Sequence, residues 1–284
     1  MDNHRFETLA DFVAWLPAPE RWRQSPLQSL WFRGHPDRSL PLIPSVLREE
    51  FSRAVASAEP FRARGGSNEE KLEAAEIEMN KQFRREAAAL LSTETDLTTL
   101  YLLARHHGLP TRMLDWTTNG LAALFFTCVK EPENDGEVIV AAPDWRLTTE
   151  DGESPCVAAL ADAPFPQRHE RVRQTVAYLF GEGDRPEQAM IVPVLPDLRS
   201  LRMLHQGSCF TFHLPGSGGI HEKAVTRFVI PKAKKQSFVA ALRNLGINWS
   251  TLFHDLDHLC QEIRARWERK AAAGEVTPGD SGKS

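Results

Sequence analysis

The chain has 284 residues, 42% of them hydrophobic and 25% charged, and a formal net charge of -4. That length can bury a substantial core, and the composition is that of a folded globular protein rather than a disordered one. The slightly acidic balance excludes a general pull towards nucleic acid or an anionic membrane and leaves only a local basic groove for such partners.

No apolar run reaches the roughly 20 residues that cross a bilayer. Met1-Asp2-Asn3-His4-Arg5 leads into mixed residues without the apolar stretch of a signal peptide. Cys128, Cys156, Cys209 and Cys260 are scattered, with no paired metal or redox spacing. Reduced thiols in a cytoplasmic protein are therefore the expectation, with no membrane partner.

Phe6, Leu9, Phe12, Val13 and Leu16 recur at helical spacing until Pro17 and Pro19, which predicts a helical cap within residues 1–26. A main domain is expected over 27–270 and a disordered tail over 271–284. Residues 27–32 read as a strand stopped by Gly34 and Pro36, and 41–45 as extended, with Ser45 capping a short helix. A long helix over 68–91 places Leu72, Ala75, Met79, Phe83 and Leu90 roughly on one face, behind Glu69, Glu70 and Glu73. Asp96 caps the next helix and Gly108 closes it.

Asn119 leads into an apolar helix to Val129, and Asp135-Gly136 turns into a strand over 137–142. Residues 143–165 are poorly patterned. A helix is expected over 171–179, a strand over 189–195, a strand-like alternation over 205–213 and a strand over 226–230. Helices follow over 236–245 and from Asp255 to about Lys270. Strands and helices mix without βαβ regularity, which predicts an α+β fold with a mixed central sheet and flanking helices.

The stretch Gly108-Leu109-Pro110-Thr111-Arg112-Met113-Leu114-Asp115-Trp116-Thr117 sets two charges between apolar runs, and Arg33 sits likewise in Leu30-Trp31-Phe32-Arg33-Gly34-His35. Unpaired buried charge is costly, so Arg33 and Asp115 are expected to be the walls of one polar site. A guanidinium fork suits phosphate or carboxylate, and Gly34 lets a ligand or chain come close. Asp115 could hold a ribose hydroxyl or act as a base; it could equally pair with Arg112 or cap the next helix. His106 and His107 end a helix, where a cation meets the dipole favourably. His254, Asp255, Asp257 and His258 have metal-like spacing, but Asp255 stands at an N-cap and no further ligand set is evident, so no metal is expected. Lys232, Lys234 and Lys235 read as a solvated basic patch, with nucleic-acid contact as the alternative. Walker, dinucleotide-fingerprint, zincin and nucleophile-elbow motifs are absent.

Trp31-Phe32-Arg33-Gly34 resembles the motif that names the FRG domain family. His107 to Thr117, with Ala122-Ala123-Leu124-Phe125-Phe126 behind it, looks like that family's second signature, and Arg202, Gln206 and Phe210 are similar to its third. Ser208 stands where a glycine is expected there. Thr251-Leu252-Phe253 with Asp255-Leu256-Asp257 resembles the closing segment, with His254 in place of a proline. The resemblance runs from about Leu27 to Ile263.

A more distant likeness is to ADP-ribosyltransferases of the Arg-Ser-Glu type. It implies an ADP-ribosyltransferase-like fold in which Arg33 meets the NAD phosphates and Thr117, with the apolar helix after it, lines the nicotinamide pocket. That family's third element supplies a Glu; here it offers Gln206, which can hydrogen-bond a ribose but supplies no anion. The likeness implies a catalytic set of Arg33, Asp115 and Gln206, and a nucleotide-binding set of Arg33, Gly34, His107, Arg112 and Thr117. NAD would be the substrate, cleaved at the nicotinamide bond with ADP-ribose passed to water or an unidentified macromolecule, in a bacterial toxin or phage-defence setting. A non-catalytic module that binds a nucleotide or nucleic acid is the alternative. A third reading makes Arg33, Arg112, Asp115 and Gln206 a buried network that only fixes packing.

Overall fold

The computed structural model describes residues 4–16, 30–91, 95–141, 166–195 and 201–274. Its strands are β1 (His4–Arg5), β2 (Trp31–His35), β3 (Met113–Thr117), β4 (Gly136–Ala141), β5 (Ile191–Val194), β6 (Ser208–His213) and β7 (Val225–Ile230). They form a seven-stranded sheet in the order β1-β7-β4-β2-β3-β6-β5. Neighbours run antiparallel except β1, which lies parallel to β7. The helices among the described residues are α1 (Leu9–Trp15), α2 (Glu49–Ser57), α3 (Asn68–Ala87), α4 (Leu97–His106), α5 (Gly120–Cys128), α6 (Pro166–Leu179), α7 (Leu201–Gln206), α8 (Lys232–Asn244), α9 (Trp249–Phe253) and α10 (Leu256–Ala272). The fold is α+β, a mixed sheet with flanking helices, as the sequence predicts. None of these helices is long and apolar enough to cross a membrane.

Side chains alternate across a strand, so the register assigns each residue to a face. Phe32, Val138, Val140, Phe228 and Ile230 share one face and pack with α1, α5, α8 and α9. Met113, Phe210, Phe212 and Val192 continue that face at the other end of the sheet and pack under α4 and α6. The helices thus stand in two blocks on one face. The opposite face carries Trp31, Leu114, Trp116, Ile139 and Cys209, covered by Leu42, Ile220 and Ala224 from connecting segments. Where the two blocks part, over β2 and β3, the sheet is open. The pairing of β2 with β3 rests on one position, Phe32 opposite Thr117.

Capping explains several boundaries. Asp96 accepts from Thr98 and Thr99, Asn119 from Leu121 and Ala122, and Asp255 from His258, as expected of N-caps. Gly108 has φ +93°, the left-handed conformation that ends α4. Ser45 instead opens a 3-10 turn (Ser45–Leu47), and α2 follows it. Strand β2 extends through Gly34 to His35 instead of stopping at the glycine. Residues 201–206 form α7, so the predicted strand over 205–213 is strand only from Ser208 onward. On α3 Leu90 is excluded and Glu73, Glu76 and Asn80 point inward instead. Residues 143–165 fall outside the described residues, as does most of the expected tail over 271–284, whose first two residues instead continue α10 to Ala272.

Inward polar groups are tied down one by one. Asn80 donates to the Leu179 carbonyl at 3.0 Å, and Glu73 accepts from Tyr178 at 2.7 Å and from Arg185 at 2.9 Å. Lys235 is buried rather than solvated: its Nζ donates to the carbonyls of Pro36, Lys130 and Glu131 at 2.6, 3.1 and 2.7 Å. That takes one of the three cations out of the expected basic patch and ties the turn after α5 to the end of β2.

His213 is fully buried, with Nδ1 2.8 Å from the Gly218 carbonyl and Nε2 3.1 Å from Thr211 Oγ1. Burial pushes its pKa from 6.5 down to about 4. The native state keeps this imidazole neutral while the unfolded chain takes up a proton below about 6.5. The unfolded state therefore holds more protons between the two values. Stability is expected to fall by about 3 kcal/mol from this group as pH drops through that window, and to level off below it. Urea titrations of wild type and His213→Gln between pH 7 and pH 4, roughly, check this: the variant should lose most of the slope, and an unchanged slope refutes it.

Candidate functional site

A cavity of about 350 Å³ lies at the parting of the two helical blocks. Its floor is the sheet face that carries Phe32, Gly34, Asp115, Thr117 and Phe210. Its walls come from Arg105 and His106 on α4, Phe126 on α5, Arg202 and Gln206 on α7, and Phe253 on α9. Arg33 belongs by alternation to the opposite face. Its guanidinium reaches the cavity where β2 and β3 part, donating Nη1 to the Asp115 carbonyl at 2.6 Å, with Asp115 Oδ2 at 3.8 Å. The expected meeting of Arg33 and Asp115 is therefore found, and the contact is chiefly to main chain.

The principal partner of the Asp115 carboxylate is Arg105. Its Nε donates to Oδ1 at 3.1 Å and its Nη2 to Oδ2, a bidentate fork. Burial pushes the Asp115 carboxyl up, but Arg105, Arg33 and Arg202 outweigh it and hold the group below the usual carboxylate range. Asp115 is thus ionised, and its side chain is 43% exposed, towards the cavity. Arg33 is only 13% exposed; burial, with Arg105 and Arg48 nearby and Asp115 opposing, lowers its pKa to about 10, so it too stays charged at neutral pH.

Behind the cavity Arg33 is held by a chain of buried groups. Its Nε donates to His35 Nε2 at 2.9 Å, and His35 Nδ1 lies 3.2 Å from Glu137 Oε1, which also accepts from Arg227. The acceptor role at Nε2 requires the neutral tautomer with its proton on Nδ1, which matches the lowering of the His35 pKa by burial.

Three arginines thus line the cavity, Arg33, Arg105 and Arg202, against one carboxylate, Asp115. The imbalance is two positive charges. Two N–H groups in it are also unspent: Arg202 Nε and Gln206 Nε2 are buried with no hydrogen-bond partner among the described residues. Arg202 lies over the Phe253 ring, 4.5 Å from its centroid, so the guanidinium is held in place by stacking. A buried donor without an acceptor costs free energy that an anionic or carbonyl-bearing ligand would recover.

Several predicted site residues stand elsewhere or act differently. Arg112 is absent from the cavity; it forms a buried ion pair with Glu76 of α3. His107 is the exposed C-cap residue of α4, and it is His106 that lines the wall. Gln206 ends a helix instead of sitting on a strand, and the position opposite Thr117 on β6 is Ser208. Thr117 lines the cavity, but its Oγ1 is engaged with the Gln206 carbonyl and the Asn119 amide, so its role is to join β3, α5 and α7. Gly34 lines the floor, yet a Cβ there would point at α5, 2.1 Å from the Ala123 carbonyl. Arg105 is a site residue that the sequence reading missed, and Arg202 and Phe253, which stand in the third and closing family motifs, were not assigned to the site. Arg105 carried one usable signal, a second cation in the last turn of the helix that leads to Asp115.

Of the suspected metal cluster, His258 Nδ1 binds the Asp255 carboxylate at 2.7 Å and His254 Nδ1 faces the Thr251 carbonyl at 3.0 Å. No group of three His, Cys, Asp or Glu side chains among the described residues is arranged to hold a metal ion.

Residues 28–136 match the FRG domain family. The matched stretch contains Arg33, Arg105 and Asp115, while α7 and α9, which close the cavity, lie beyond it. No curated protein and no solved structure matches the chain.

Proposed function

Taking the FRG domain at residues 28–136 as premise, we propose that the cavity binds a nucleotide of the NAD class through its phosphates. The observation that carries this is the surplus of two positive charges beside two unspent buried N–H groups. A pyrophosphate supplies two negative charges and acceptor oxygens for the Arg33 and Arg202 forks. Phe126 offers an apolar wall, and the cavity falls at the small end of the ~300–1,000 Å³ range of ligand pockets. The family match in itself says nothing of NAD.

Arg202 is the residue to remove first, because its guanidinium holds no other element together by a hydrogen bond among the described residues. Charge-assisted bonds contribute about 1.5–3 kcal/mol each, so Arg202→Met should weaken ADP-ribose and NAD binding about ten- to a hundredfold by titration calorimetry. The melting temperature should stay near wild type. Folded wild-type protein that binds neither ligand would refute the proposal.

Asp115 favours a second step, cleavage of the bond between nicotinamide and ribose. It is the only carboxylate lining the cavity among the described residues, it is ionised, and it faces the space a ligand would fill. As the C–N bond breaks, its electron pair leaves with nicotinamide, and positive charge develops on the ribose that a fixed carboxylate can offset. Water or an acceptor nucleophile then takes the ribose carbon and loses a proton. On this reading Asp115→Asn abolishes nicotinamide release while NAD binding survives. Binding without release in the wild type would leave a non-catalytic nucleotide-binding module.

A further inference from the structure

We propose that the outward face of α10 is an interface between two copies of this chain, paired with their α10 helices antiparallel. This helix of 17 residues buries only Glu262. Its inward side presents His258, Glu262 and Ala265, at helical spacing, and the carboxylate of Glu262 is held there by Arg243 and Arg269 at 3.4 and 3.3 Å. The apolar residues lie on the other side. Leu256, Leu259, Ile263 and Trp267 recur at i, i+3, i+7 and i+11 and form one outward stripe, 77%, 41%, 43% and 55% exposed.

An amphipathic helix in a monomer turns its apolar stripe to the core; this one does the reverse. A helix of this length is marginal in water without packing on an apolar face. The spacing is that of a helix-to-helix seam, which a second helix covers better than a flat surface does.

The charge distribution selects a second copy as the occupant and fixes its direction. The first turn of α10 is acidic, at Asp257, and in its basic last turn Lys270 lies along the stripe while Arg269 is turned inward to Glu262. Antiparallel pairing sets acidic turn against basic turn at both ends and opposes the helix dipoles head to tail. A parallel pair would set like against like. Lys270, with Nζ 5.5 Å from the Trp267 ring centroid, already lies along the stripe where it meets the partner's N-terminal end in the antiparallel arrangement. The contact is one helix pair, at the small end of specific interfaces, so association in the micromolar range is expected.

Sedimentation velocity on the full chain, from about 1 to about 200 µM, tests this against the range where such an interface assembles. Wild type should move from the 31.9 kDa monomer to a species of twice that mass. Ile263→Glu, at the centre of the stripe, should remain monomeric throughout with an unchanged melting temperature, since Ile263 contributes nothing to the buried core. Lys270→Glu places acid against acid at both ends and should weaken the dimer about fivefold. A wild type that stays monomeric across the range overturns the interface. A dimer that survives Ile263→Glu overturns its location, and one indifferent to Lys270→Glu overturns the antiparallel direction.

Discussion

Glu76→Ala is expected to destabilise the protein by about 3–5 kcal/mol, the cost of leaving one partner of a buried ion pair alone. Glu76 and Arg112 are each 1% exposed, and the guanidinium makes contacts of 2.6, 2.9 and 3.1 Å to the carboxylate. Burial raises the Glu76 carboxyl pKa against the pull of Arg112, and Glu76 in turn raises that of Arg112. Three hydrogen bonds in one fork decide for the ionised pair. Without Glu76 a guanidinium would remain in a space that holds no other counter-ion within hydrogen-bond reach among the described residues. The backbone N–H of Arg112 also donates to Tyr101 Oη at 2.8 Å, so the pair joins α3, α4 and the start of β3.

The pair orders these elements at a desolvation cost that apolar packing does not carry. The double replacement Glu76→Leu with Arg112→Met should therefore recover most of what Glu76→Ala loses. Urea unfolding of the wild type and these two variants measures both effects. A cost below about 1 kcal/mol for Glu76→Ala would mean that water reaches the site and screens the charge. Because Arg112 is outside the cavity, nucleotide affinity of the double variant should match wild type once the protein is folded. The sequence reading that puts Arg112 in the binding set expects that affinity to be lost.

Arg112 also shows where sequence pattern was sufficient and was not followed far enough. Strand β3 begins at Met113, and a period of two sends Leu114 and Trp116 to one face and Asp115 and Thr117 to the other. Arg112 is an odd number of residues from Asp115, so the two should not have been assigned to one surface. The pairing of Arg33 with the Asp115 segment was legible because both are polar groups inside apolar runs, and burial leaves them few options. The caps at Asp96, Asn119 and Asp255 were legible because a short polar side chain before a helix satisfies amides that nothing else reaches.

Other features were hidden for definite reasons. Arg105 sits on a helix with no pattern that separates a cavity wall from a solvated surface, and Arg202 was visible only as part of the third family motif. In the last turn of a helix, as Arg105 is, a basic residue already has a sufficient role with the dipole. Gln206 looked strand-like because Gln206, Ser208, Phe210 and Phe212 alternate. The helix α7 ends at Gln206, and Gly207 at φ +58° turns the chain into β6. Lys235 gave no sign of burial, since its three carbonyl partners come from segments about 100 and 200 residues away. On α3, Glu73, Glu76 and Asn80 occupy the inward side beside Leu72 and Ala75, and only their distant partners explain why charged groups are tolerated there.

Gly34→Ala is expected to cost about 3 kcal/mol or more, at the upper end of overpacking effects, because its new methyl meets backbone. A Cβ at Gly34 would lie 2.1 Å from the Ala123 carbonyl oxygen and 2.7 and 2.9 Å from Oγ1 and N of Thr127. All three atoms belong to α5, which packs on β2 and β4 more closely than a side chain allows. Gly136 on β4 repeats the arrangement, with a virtual Cβ 2.6 Å from Thr127 Cγ2. Thr127 Oγ1 then lies 3.0 Å from both the Ala123 and Glu137 carbonyls, tying helix to sheet at the level of Gly34. The absence of a side chain at Gly34 therefore serves the contact of helix with strand. The sequence leaves close approach of a ligand or of a chain segment open at Gly34, and the two roles have opposite signatures. Loss of the helix contact lowers the melting temperature whether or not nucleotide is present, and truncating Thr127 to alanine in the same protein does not restore it, because the nearest clash is with main chain. A ligand-approach role would leave the melting temperature intact and remove only binding. Thermal melts of Gly34→Ala with and without saturating ADP-ribose distinguish them, and a variant as stable as wild type would refute the packing account.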